Sequence, residues 1–114
     1  MNDPAKTSFA LSKTADYPEA VVLMCASLIE KRGTTTVKSL CHALNSQFLI
    51  EDSDIKDALR VLKNPVGFQA LRMWRGRSKT DATFLKVVRT PQYDDWARSL
   101  LESKPYLKPL TTIS

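Results

Sequence analysis

Seven fixed cations, Lys63, Arg72, Arg75, Arg77, Lys79, Lys86 and Arg89, fall within residues 63–89, where Asp81 is the one acidic residue. That stretch carries a net +6, residues 1–62 sum to −1 and residues 90–114 to zero, so the +5 of the chain belongs to one segment. Guanidinium and ammonium groups stay protonated near neutral pH and serve poorly as proton relays. Gathered on one element, they suit the binding of a polyanion. Arg75, Arg77 and Lys79 alternate around Gly76, a spacing that carries them to the tip of a hairpin. Arginine there offers a two-pronged contact to phosphate.

Other chemistries find little material. General acid–base work needs a positioned histidine or paired carboxylates; the chain has one histidine, His42, and its acids gather at helix starts. The three glycines, Gly33, Gly67 and Gly76, are too scattered for a phosphate-cradling loop. No enzymatic activity and no cofactor are therefore expected. Cys25 and Cys41 fall on apolar helix faces and are expected as free buried thiols. A zinc site needs more ligands than His42 adds, so no metal is expected. With 43% hydrophobic and 25% charged residues the composition is that of a folded domain. There is neither a membrane-length apolar run nor a signal-peptide-like start, which leads us to expect an intracellular protein, in the cytoplasm with the nucleoid or in a nucleus.

The elements that must carry these cations are marked by their caps and periods. Asp16 with Glu19 three residues on matches a capping box for a helix over 17–32, with Val21, Val22, Cys25, Leu28 and Ile29 inward and Gly33 as its positive-φ stop. The run Thr34, Thr35, Thr36 suits a very short strand, and Thr36 caps a second helix ending near Asn45, with Val37, Leu40, Cys41 and Leu44 inward. Phe48, Leu49 and Ile50 make the connector apolar, so it is expected to pack. A third helix, residues 53–63, turns Ile55, Ala58, Leu59 and Leu62 inward and stops at Asn64-Pro65. After Gly67 the period becomes two, with Phe68, Ala70, Arg72 and Trp74 on one side of a strand and Gln69, Leu71 and Met73 on the other. A polar turn using Gly76 for a positive φ leads to a second strand over 83–88. Thr90-Pro91 starts a last helix to residue 102, packed through Tyr93, Trp96, Ala97, Leu100 and Leu101. Flanking this domain of residues 16–102 are a flexible arm over 1–15, anchored at most by Phe9 and Leu11, and a tail over 103–114, a docking peptide or disordered.

The order helix, short strand, helix, helix, hairpin resembles the winged-helix superfamily over residues 16–88, about two thirds of the chain. The resemblance implies an α+β fold, a small winged helix-turn-helix domain with three helices, a basic β-hairpin wing and a C-terminal helix. It further implies that residues 53–63 enter the major groove of duplex DNA through Lys56, Arg60 and Lys63, a stripe at i, i+4 and i+7, while the wing touches the backbone through Arg72, Arg75, Arg77, Lys79 and Lys86. Two departures stand against it. Glu51, Asp52 and Asp54 crowd the start of the third helix and repel phosphates, and the connector before it is long and lacks glycine. The stripe also has a plain surface reading, in which Asp57 and Asp52 pair with neighbouring cations.

The expected function is duplex-DNA binding, as a transcriptional regulator or a replication or partition accessory factor. The alternatives are a winged-helix adaptor whose wing meets an acidic protein, and an RNA binder in which Trp74 stacks on an unpaired base. A homodimer through the helix at 17–32 or the helix at 91–102 is expected with either, and no membrane contact.

Overall fold

Helix α1 (Tyr17–Arg32) is the hub of the molecule. Every residue from Ala20 to Ala26 is buried, with Leu28 and Ile29 beyond them. The sequence suggested one inward face; the structure buries α1 on nearly all sides, because Ala20, Leu23, Met24 and Ala26 are apolar too and a helix apolar all round belongs in a core. The computed structural model describes residues 16–77 and 82–113; the arm at 1–15 and the turn residues 78–81, Lys79 among them, lie outside the described residues.

The elements follow in the order β1 (Thr35–Thr36), α2 (Val37–Gln47), α3 (Asp52–Lys63), β2 (Leu71–Arg75), β3 (Thr83–Val87), α4 (Pro91–Ser103) and a 3-10 helix (Pro105–Thr111). The three strands form one antiparallel sheet in the order β1-β3-β2. Mixed helix and antiparallel sheet make this an α+β fold.

Local chemistry explains most boundaries. Gly33 ends α1 at a φ of 81°, the positive value expected of it. The Thr36 hydroxyl accepts from the Ser39 amide at 3.1 Å and the Thr90 hydroxyl from the Tyr93 amide at 3.4 Å, the two caps the sequence announced. The Thr90 hydroxyl also donates to the Phe68 carbonyl at 2.6 Å, tying α4 to the approach of β2. Phe48 and Ile50 are buried and Leu49 is exposed, so the connector from α2 to α3 packs through two of its three apolar side chains.

Four expectations need correction. Asp16 does not cap α1 with its side chain. Its carboxylate accepts instead from Lys104 and Tyr106, and the Lys104 hydrogen bond, then that of Tyr106, holds its pKa below the ordinary carboxylate value. The strand β2 begins at Leu71, not Phe68, because Gln69 takes a φ of 51° and breaks the alternation. Ala70 and Leu71 are consequently both buried, Leu71 and Met73 form the inner face, and Arg72 and Trp74 point outward. Gly76 is not among the positive-φ residues, so it does not serve the turn in that way. Finally, residues 105–111 are no loose tail: Leu107 and Leu110 are each 1% exposed in the core, and the 3-10 helix packs against α1 and α4.

Candidate nucleic-acid interface

Helix α3 carries two stripes. Ile55, Ala58, Leu59 and Leu62 are at most 3% exposed and fix the helix on α1. The stripe beside it, Lys56, Arg60 and Lys63, is exposed. This is the division of faces that the spacing predicted.

The acids at the start of α3 have structural work. The Tyr17 hydroxyl donates to Asp54 Oδ2 at 2.9 Å, and the Glu51 amide donates to the same oxygen at 3.3 Å. Burial, then the Asp54 carboxylate, pushes the Tyr17 phenol well above its usual value. Asp52 Oδ1 accepts from Asn45 Nδ2 at 2.6 Å, so it is engaged with α2 and not with Lys56 as the surface reading had it. These contacts set the entry angle of α3 and pin its first turn to α1 and α2. Asp57 does pair with Arg60, at 2.7 Å. Both side chains are more than half exposed (79% and 66%), so the pair contributes at most a few tenths of a kcal/mol and leaves Arg60 available.

Lys56, Arg60 and Lys63 line one groove together with Val37, Leu59, Met73 and Thr83. Its floor is apolar, its rim is cationic, and no acid is among its lining residues. The hairpin closes the far side, since Met73 and Thr83 sit on the inner face of β2 and β3. Arg75 pairs with Thr83 in the ladder and shares the Met73 side of β2. An adjoining hollow shares Val37, Lys56 and Thr83 and continues past Lys38 and His42 on α2. Lys38 had no place among the expected contacts, because it lies in a segment whose net charge is slightly negative; only the packing of α2 beside α3 brings it near.

The structure divides the eight expected contacts. Lys56, Arg60 and Lys63 line the groove, and Arg75 is the cross-strand partner of its lining residue Thr83. Arg72 and Lys86 are directly opposite each other on the outer face of the hairpin, turned away from the groove. Arg77 is exposed just past β2, and Lys79 lies outside the described residues. Arg89, part of the sequence cluster, is committed elsewhere: it pairs with Glu30 at 3.1 Å and Asp94 at 3.2 Å, and the Glu30 hydrogen bond raises its pKa. The cysteines are buried and free, and burial pushes both thiols above their ordinary value, away from the thiolate a nucleophile needs.

The end of β2 explains Gly76. A Cβ at that position would lie 2.4 Å from a ring carbon of Phe84. Phe84 is directly opposite Trp74, and the two rings stack with centroids 5.9 Å apart and planes 19° from parallel. The absent side chain makes room for the Phe84 ring. Gly76→Ala is expected to lower stability by about 1 kcal/mol through forced repacking, and Phe84→Leu in the same chain to recover most of that loss. Thermal unfolding of the two single variants and the double variant measures it; additive losses would show that the two positions do not meet.

Among the described residues no helix is long and apolar enough to cross a membrane and no group of three or more acidic, His or Cys side chains could hold a metal ion. Comparison with protein-family models, with curated proteins and with solved structures finds no match to this chain.

Proposed function

We propose that the chain is a duplex-DNA-binding protein of winged-helix type, acting as a transcriptional regulator or as a replication or partition accessory factor. The observation that carries this reading is the groove in which the three α3 cations meet the inner face of the basic hairpin with no acid in the lining. A rim of fixed positive charge over an apolar floor suits a polyanion whose backbone runs along the rim. Support also comes from the element order, helix, short strand, helix, helix, hairpin, on which the resemblance rests. In this reading α3 lies in the major groove with Arg60 facing base edges, while Lys56, Lys63 and the hairpin residues Arg75 and Arg77 hold phosphates. Homodimerisation falls to α4, where Trp96, Leu100 and Leu101 are only partly buried, because α1 is enclosed by its own chain. The protein acts without a cofactor and inside the cell.

The test is fluorescence anisotropy of a labelled random-sequence duplex titrated with protein across a salt series. Wild type is expected to bind with a steep salt dependence. Arg75→Ala, Arg77→Ala and Lys79→Ala together are expected to weaken binding to all sequences. They should also flatten the salt slope by up to about 2.7, roughly 0.9 for each phosphate left without its cation. A folded wild-type protein with no duplex affinity at physiological salt would overturn the reading in favour of an adaptor that meets an acidic protein.

A further inference from the structure

The outer face of the hairpin carries four side chains in a two-by-two block. Arg72 is directly opposite Lys86, and on the next rung of that face Trp74 is directly opposite Phe84. All four lie on the side of the sheet away from the core, where Leu71 and Leu85 are buried.

Two features of this block are unfavourable for the isolated protein. Like charges directly opposite on neighbouring strands repel, and among the described residues neither Arg72 nor Lys86 has an ion pair. Trp74 leaves 43% of its surface in water, although it sits on a strand whose other face supplies the core contacts. The Phe84 ring lies flat against Trp74, and Gly76 provides the space that lets it do so. Packing alone asks for neither the cation pair nor the exposed tryptophan. One kind of ligand relieves both: an anion shared by Arg72 and Lys86, attached to a planar apolar group lying on the rings. Successive residues on one strand face are about 7 Å apart, within the reach from a nucleobase to its own phosphate.

We infer that the outer face of the β2–β3 hairpin is a binding site for unpaired nucleotides of single-stranded nucleic acid. Trp74, backed by Phe84, is the platform on which a base stacks. Arg72 and Lys86 hold the adjoining phosphate. Duplex DNA does not fit this site, because its bases are stacked on one another and present edges, not faces. The site shares no residue with the α3 groove and does not depend on the duplex-binding reading. A protein with both would hold paired and unpaired strands on opposite sides of one hairpin, an arrangement suited to a junction between them.

The test uses the full chain carrying Trp96→Phe, so that Trp74 is the single tryptophan. Trp96 packs against Phe68 and Tyr93, where phenylalanine preserves the apolar contacts. A short oligothymidylate is expected to quench Trp74 emission to a saturable limit. In the otherwise wild-type chain Trp74→Ala is expected to weaken oligothymidylate binding about fivefold or more, while duplex affinity changes less than about twofold. Arg72→Ser with Lys86→Ser should weaken the same binding and flatten its salt slope. Unquenched Trp74 emission at oligonucleotide concentrations that bind the protein would overturn the inference, and so would failure to bind the oligonucleotide at all. Emission that changes with protein concentration alone would mark the face as a self-contact and overturn it equally. Quenching by oligothymidylate without duplex affinity would sink the groove reading and leave this site standing.

Discussion

Replacing Lys56, Arg60 and Lys63 together by alanine is expected to lower duplex affinity by roughly a hundredfold at low salt, about 1 kcal/mol for each cation. The same substitution should flatten the salt slope by up to about 2.7. The three side chains are exposed on the solvent stripe of α3, so their removal leaves the core packing intact; the Arg60–Asp57 pair contributes a few tenths of a kcal/mol at most. The melting temperature should therefore hold while binding falls. Within the triple, the three positions have different roles. Arg60→Ala alone should change the sequence preference of a selected binding motif, whereas Lys56→Ala or Lys63→Ala should weaken all sequences alike. An unchanged salt slope in the triple variant would show that α3 does not face DNA, and the acids at its start would then favour the adaptor reading. A selected motif left identical by Arg60→Ala would keep α3 on the backbone and leave base reading elsewhere.

How far the sequence exposes this site depends on what kind of information each element needs. The faces of α3 are legible because a helix with Ile55, Ala58, Leu59 and Leu62 on one stripe and Lys56, Arg60 and Lys63 on the other has one sensible orientation. The hairpin offers no such asymmetry. Leu71 and Met73 compete with Ala70 and Trp74 for the core, and a single backbone angle, the positive φ of Gln69, resolves the contest by shifting the parity of the strand. With Leu71 and Met73 inward, Arg72 and its cross-strand partner Lys86 face away from the groove and Arg75 keeps the Met73 side. The partner of Trp74 was hidden for a related reason: the pairing with Phe84 depends on the length of the turn, which composition does not report. Charge counting likewise overstates the interface. Arg89 belongs to the basic segment by sequence but closes a bridge between Glu30 and Asp94, a tertiary contact across 59 residues to α1 in the first case. The acids at the start of α3 read as an obstacle to DNA in sequence, yet Asp54 and Asp52 are the groups that fasten the helix in place.

The largest effect on stability is expected from the far end of the chain. Leu107→Ala and Leu110→Ala should each cost about 2–5 kcal/mol, and the two together should approach the whole folding free energy of a domain this size. Both side chains are 1% exposed and belong to the main core cluster, although they sit in a 3-10 helix that also contains Pro105 and Pro109. Prolines usually announce a chain leaving its domain, but here they fix a short rigid turn that needs few internal hydrogen bonds. The turn packs against α1, which is buried on nearly all sides where a single apolar stripe would have left it half exposed. Lys104 and Tyr106 fasten the segment to Asp16 at the start of α1. Their replacement by alanine should cost far less than truncation of either leucine, because partly exposed polar contacts contribute little. Urea unfolding of the single leucine variants measures this directly. A docking peptide awaiting a partner would show an unchanged midpoint in both, whereas a core element shows a large drop with a similar slope. None of these residues lines the α3 groove or the outer hairpin face. Whatever fraction of Leu110→Ala remains folded should therefore bind duplex with the wild-type salt slope, which separates the part of the chain that holds α1 in place from the part that meets nucleic acid.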